Sequence, residues 1–76
     1  MINVAILGYG VVGSGVAEVL RKNSKSIKAR AGQEIKVARI LDIRDFPDSP
    51  DAGLFTKNAD DIFNDKSIDI VVETIG

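Results

Sequence analysis

Residues 8 to 13 read GYGVVG, which places Gly8, Gly10 and Gly13 in the spacing G-x-G-x-x-G directly after the apolar run Ile2 to Leu7. Glycine triplets recur in turns, so the spacing alone is a weak signal. Set between a strand-like run and a helix-like run, it describes a mechanism: backbone amides at a helix start hold the pyrophosphate of a dinucleotide. Gly8 permits the tight turn out of the strand, Gly10 lets the backbone approach the pyrophosphate, and Gly13 lets the helix pack closely on the strand. Amides near Val11 and Val12 then face the phosphates, helped by the partial positive charge of the helix end. Tyr9 lies on the same loop, where its ring either lines the cofactor groove or packs on a neighbouring loop. A glycine-rich turn with no ligand is the plain alternative, and the flanking strand and helix weigh against it. A nucleoside triphosphate loop is a poorer fit. Gly10 and Gly15 have its first spacing, but Val16 stands where its lysine must be.

The end of the second strand is the next diagnostic position. There an acidic residue takes the ribose hydroxyls of NAD, or an arginine takes the 2′-phosphate of NADP. The candidates are Asp42, Arg44 and Asp45. In an extended strand Asp42 and Arg44 share a face and Asp45 points the other way. Arg44, with Lys57 beyond the following loop, forms a cationic pocket for a 2′-phosphate, whereas an NAD site uses Asp42 or Asp45. NADP is favoured over NAD. At the carboxyl end of the third strand, where open α/β sheets bind ligands, stand Glu73, Thr74 and Gly76. Thr74 contacts the ribose or nicotinamide side, or bonds to backbone as buried strand-end threonines commonly do. Asp60, Asp61 and Asp65 fit solvated helix ends better than a cation site.

These residues need a scaffold. Ile2 to Leu7 has the near-continuous apolar character of a strand buried on both faces of a parallel sheet. From Val11 the period becomes helical, with Val12, Val16, Val19 or Leu20 and Asn23 on one side. Gly15 inside this helix costs ~1 kcal/mol relative to alanine. Ser24 to Ala31 extends the helix or begins another, and Gly32 ends it. A second strand is expected over Ile35 to Ile43, a surface loop over Arg44 to Gly53, and a short helix over residues 59 to 65 capped by Asn58. Ile68 to Ile75 reads as a third buried strand. Strand, helix, strand, short helix, strand is half of a doubly wound (Rossmann) parallel sheet, truncated after the third strand.

Composition narrows the function classes. Ten basic against eleven acidic residues give a net charge of −1, with no dense basic run, so electrostatically driven nucleic-acid binding is not expected. There is neither cysteine nor histidine, which removes disulfides, zinc clusters and thiol or imidazole nucleophiles from this stretch. The apolar runs are too short to span a membrane and no signal peptide is evident, so a cytoplasmic protein is expected. A 76-residue chain is small for a stable independent domain, burying only roughly 60% of its unfolded surface. Residues 1–76 are therefore expected to be an incomplete dinucleotide-binding domain.

VAILGYGVVGSGV at 4 to 16, RAG at 30 to 32, the IRD step at 43 to 45 and SIDIVVETIG at 67 to 76 together resemble the amino-terminal part of homoserine dehydrogenase. The resemblance covers essentially the whole chain in order and spacing. It implies an NAD(P)-dependent oxidoreductase that interconverts L-homoserine and L-aspartate 4-semialdehyde in threonine, methionine and isoleucine biosynthesis. It also implies a small-molecule substrate and a homodimeric parent with a separate substrate and dimerisation domain. By position, Gly8 to Gly13 form the pyrophosphate loop with Val12 among the backbone contacts. Arg44 and Lys57 meet the 2′-phosphate, and Thr74 and Gly76 lie beside the ribose and nicotinamide. The family's catalytic groups fall beyond residue 76, and no metal ligand is implied here. Another dehydrogenase built on the same half-fold, or a nucleotide-sensing module without chemistry, is the alternative, because fold does not fix function.

Overall fold

Strand β1 (Ile2–Leu7) occupies the interior of the sheet, as its near-continuous apolar run predicts. The computed structural model describes residues 1 to 75, and Gly76 lies outside them. β1 is flanked by β2 (Ile35–Leu41) on one side and β4 (Ile70–Glu73) on the other, with β3 (Phe55–Thr56) outside β2. The order is β3-β2-β1-β4 and every pairing is parallel. Helices connect the strands: α1 (Val11–Lys22) and α2 (Ser24–Ala31) between β1 and β2, and the single turn α3 (Asp60–Phe63) before β4. This is the parallel α/β half-sheet expected from the sequence.

The phase of α1 differs from the periodic reading. Its inward residues are Gly13, Val16, Ala17 and Leu20, while Val12 and Val19 are 65% and 54% exposed. Gly13 sets that phase. A Cβ there would lie 2.0 Å from the Gly8 carbonyl oxygen, so only glycine lets the helix sit this close to the strand end. Val4, Ile6, Ala17 and Ile40 then form the buried cluster on this face. Ala5, facing the other way along β1, and Ile62 of α3 are buried outside it.

Ser24 starts a separate helix because Asn23 leaves helical geometry (φ −106°, ψ 18°), its side-chain amide donating back to the Val19 carbonyl. Gly32 ends α2 in the left-handed conformation (φ +77°), as expected. Three boundaries are corrected. β2 stops at Leu41, two residues early, because Asp42 turns its side chain back onto the chain. The helix expected over 59 to 65 is four residues long, although Asn58 Oδ1 does accept the Asp60 N–H. The last strand is Ile70–Glu73 and is not buried: Ile70 and Val71 are 46% and 43% exposed, because β4 is the edge strand of this sheet. The loop after Arg44 is also more ordered than expected, closing in a 3₁₀ turn (Ala52–Leu54) that leads into β3.

The two glycines of α1 should respond oppositely to the same substitution. Gly13→Ala forces α1 off the sheet and should lower stability by more than ~2 kcal/mol. A Cβ at Gly15 meets nothing within 4 Å, so Gly15→Ala should raise stability by up to ~1 kcal/mol. Urea midpoints of the two variants check this, and a loss at Gly15 would show that its open side is needed by something else.

Candidate dinucleotide site

The strand order itself locates the site. The chain leaves β1 toward β2 and β3, then crosses to the opposite side of β1 for β4. Such a switch opens a crevice at the carboxyl ends of the central strands. Here it is a cavity of about 440 Å³ lined by Gly8, Gly10, Asp42, Arg44, Lys57 and Thr74, with the apolar Ile43 and Ile75 at its walls.

The glycine loop crosses this cavity. Gly8 takes φ +96°, which side-chain-bearing residues rarely adopt, and its N–H donates to Leu41 O at 2.7 Å. Gly10 has an ordinary negative φ, and a Cβ there would meet nothing within 4 Å. Nothing in the described chain requires glycine at that point, and the open space is on the cavity side. α1 begins immediately after it, with Ser14 N–H donating to Gly10 O at 2.9 Å. Among the described residues no side chain caps this helix end, and no acidic residue stands in its first turn. The first amides of a helix have no intrahelical acceptor, so the end of α1 beside Val11 and Val12 is suited to an anion.

Tyr9 turns its ring toward the neighbouring loop. The ring meets Phe46 and Phe55 edge-on at centroid distances of 4.9 and 4.8 Å. Its hydroxyl hydrogen-bonds with Ser49 Oγ at 2.8 Å and donates to Asp51 Oδ2 at 2.9 Å. Burial pushes the phenol pKa up. Asp51, itself buried, receives Arg21 Nη1 at 2.9 and 3.0 Å on its two oxygens. Sequence reasoning misses this Tyr9–Ser49–Asp51–Arg21 network. Only the Ser-Pro-Asp turn at 49 to 51 hints at it.

Asp42 and Arg44 are brought together, as shared-face geometry suggests, but into contact with each other. Arg44 donates from Nε to Asp42 Oδ1 (3.1 Å) and from Nη2 to Oδ2 (2.9 Å). The backbone N–H groups of Arg44 and Tyr9 add 2.8 Å bonds to Oδ1 and Oδ2. The Arg44 side chain, and then these two N–H groups, hold the Asp42 pKa well below its ordinary 3.8. The guanidinium also lies over the Phe46 ring, 5.2 Å from its centroid. Lys57 reaches the same cavity and pairs with Asp45 at 3.0 Å, both side chains being exposed.

Thr74 uses its hydroxyl on backbone, 2.9 Å from both Leu7 O and Gly8 O, and so ties β4 to the glycine loop. Glu73 accepts the Ile75 N–H. Gly76, expected beside the nicotinamide, lies outside the described residues. Asp61 accepts from the Thr56 hydroxyl and Asp65 from Ser67, consistent with local turn bonding. Among the described residues no group of three acidic, histidine or cysteine side chains could hold a metal ion. Nor is any described helix long and apolar enough to cross a membrane.

Strand order, glycine loop and switch-point cavity together are those of one half of a doubly wound α/β protein. No family profile matches the chain. It is 42% identical over 77 residues to the homoserine dehydrogenase of Pseudomonas aeruginosa and 41% identical over 78 residues to that of Methylobacillus glycogenes. These alignments cover 99% of this chain and 18% and 19% of those proteins. The crystal structure of a homoserine dehydrogenase from Thiobacillus denitrificans superposes with a TM-score of 0.86 at 45% identity, covering 99% of this chain and 18% of that one. The enzyme from Staphylococcus aureus gives 0.86 at 33% identity, covering 99% and 20%. Over its whole length the chain matches the amino-terminal part of homoserine dehydrogenases. It spans about a fifth of the length of these relatives.

The Asp42 arrangement makes an acid-range prediction. A carboxylate whose folded pKa is depressed stabilises the fold above its unfolded pKa, and that contribution is lost as pH falls toward the folded pKa. Asp42→Asn should therefore be less stable than the parent at neutral pH, with the gap narrowing once pH drops below the ordinary 3.8. Urea midpoints measured from pH 7 to pH 2.5 test it. A gap that stays constant across that range would sink the assignment.

Proposed function

We propose that this chain is the nucleotide-binding part of an NAD(P)-dependent homoserine dehydrogenase, which interconverts L-homoserine and L-aspartate 4-semialdehyde on the route to threonine, methionine and isoleucine. The whole-length match to that family's amino-terminal part supports this reading. The single structural observation that carries it is Gly10, a glycine without steric or conformational need inside the protein and open to the switch-point cavity. A dinucleotide fits the surroundings of that glycine. The cradle at Gly8 to Gly13 leaves room for a pyrophosphate, and the amides of Val11, Val12 and Gly13 begin a helix whose positive end faces it. Thr74 fixes the loop from the side of β4. The nicotinamide supplies the hydride chemistry when bound, and this chain's residues bind and orient.

NADP is favoured over NAD because Arg44 and Lys57 both reach the cavity. The groups that bind substrate and handle its proton are assigned to parts of the protein other than residues 1–76. We assign the working protein a homodimeric state, a cytoplasmic location and no nucleic-acid or membrane partner.

The isolated 76-residue chain should show no homoserine-dependent reduction of NAD or NADP, and measurable turnover would falsify the division of labour. In the full-length protein Arg44→Ala should weaken NADPH binding about 10- to 100-fold, the loss expected for one charged hydrogen-bonded contact. NADH binding should change less than about threefold, because NADH offers no 2′-phosphate to Arg44. Fluorescence titration with both nucleotides measures the two. An unchanged NADPH affinity would remove Arg44 from the phosphate pocket.

A further inference from the structure

We infer that Asp42, the acidic residue at the end of β2, positions the nucleotide site rather than accepting a ribose hydroxyl, and that it couples the 2′-phosphate arginine to the pyrophosphate loop. The inference rests on the reading of Arg44 above and goes beyond it. A carboxylate offers about four lone-pair sites. In Asp42 four donors occupy them: Arg44 N–H and Nε on Oδ1, and Tyr9 N–H and Arg44 Nη2 on Oδ2, all between 2.8 and 3.1 Å. The residue is only 8% exposed. A ribose hydroxyl finds no vacant acceptor there unless one of these bonds is broken.

The same bonds do something useful for an anion. Asp42 grips Arg44 along one edge through Nε and Nη2, and the Phe46 ring supports the guanidinium face. Three of the five N–H donors of the fork remain for other acceptors. A guanidinium held in one place loses less side-chain freedom when a phosphate arrives, and a paired Asp42 repels that phosphate less than a bare carboxylate. The Tyr9 N–H on Oδ2 belongs to the glycine loop. One buried side chain thus sets the spacing between the two parts of the site that read phosphate.

Binding of NADPH and NADH to the full-length protein tests this. Asp42→Asn keeps one acceptor oxygen but places an amide against the guanidinium, releasing Arg44. NADPH affinity should fall about tenfold or more, as for a lost charged contact. NADH affinity should fall no more than about threefold, the part carried by the Tyr9 N–H bond. A ribose acceptor would behave in the opposite way, losing NADH while NADPH held or tightened. That result overturns the inference, as does an equal loss of both nucleotides.

Arg44→Lys tests the same point without touching the buried carboxylate. It keeps the charge but cannot be gripped by two bonds along one edge, so most of the NADPH loss of Arg44→Ala should persist. Full recovery by lysine overturns the positioning role. If Arg44→Ala leaves the NADPH to NADH ratio unchanged, the phosphate-pocket reading fails. If Arg44→Ala collapses that ratio and Asp42→Asn does not, only the role of Asp42 fails.

Discussion

The close approach of α1 to the end of β1 determines most of the site's geometry. A Cβ at Gly13 would sit 2.0 Å from Gly8 O and 2.9 Å from Thr74 Oγ1, so three elements converge on one point that admits no side chain. Strand β1, helix α1 and the end of β4 are fixed relative to one another there. The helix phase is a consequence: with Gly13 inward, Val16, Ala17 and Leu20 must also face the sheet, and Val12 must face out. So is the aim of the helix, whose first amides end up beside the cavity instead of over the sheet. The left-handed turn at Gly8 delivers the chain into this geometry, and the Thr74 hydroxyl secures the carbonyl on which the contact depends.

Two buried carboxylates hold the glycine loop at Tyr9. Asp42 holds the Tyr9 backbone and Asp51 holds the Tyr9 hydroxyl, so the residue between Gly8 and Gly10 is restrained at both ends. Each carboxylate is paired with an arginine, which offsets the cost of enclosing it. Removing one partner of such a pair leaves an uncompensated charge, whereas the exposed Glu18–Lys22 pair on α1 is screened by water and contributes little to the fold. The Tyr9, Phe46 and Phe55 rings close the same region with edge-on and stacked contacts. The loop that follows β2 is therefore part of the site's support and not a surface excursion.

The glycine spacing, the two longer strands and the α2 stop at Gly32 are legible in the sequence because each depends on local chemistry. The phase of α1 is not. Val11, Val12, Val16, Val19 and Leu20 satisfy two adjacent helical faces almost equally, and only the long-range contact of Gly13 with Gly8 chooses between them. β3 escapes notice because two residues carry no periodicity. The role of Tyr9 depends on Phe46, Ser49, Asp51 and Phe55, all far along the chain, so its type and position do not reveal its direction. The burial expected of the last strand comes from its apolar composition, but burial is a property of the neighbours, and β4 has only β1 beside it here. Asp42 and Arg44 do share one face, as alternation implies. Alternation along a strand says which side a group takes and nothing about whether two groups on that side bond to each other.

The charge pattern of the cavity is set by this arrangement. Its two cations, Arg44 and Lys57, are each engaged by a carboxylate, so the site carries little net positive field of its own. Attraction of a polyanionic ligand must then come mainly from oriented dipoles, the amides at the start of α1, which neither titrate nor need counterions. On the proposed reading the cations act at short range, through direct contact. Asp45 and Lys57 are both exposed, so that pair opens at small cost. Asp42 is enclosed and bound by four donors, so its hold on Arg44 persists while the free edge of the guanidinium is used. On the proposed reading, such a site distinguishes phosphate by geometry more than by charge, which is the requirement for telling apart two cofactors that differ by one phosphate group.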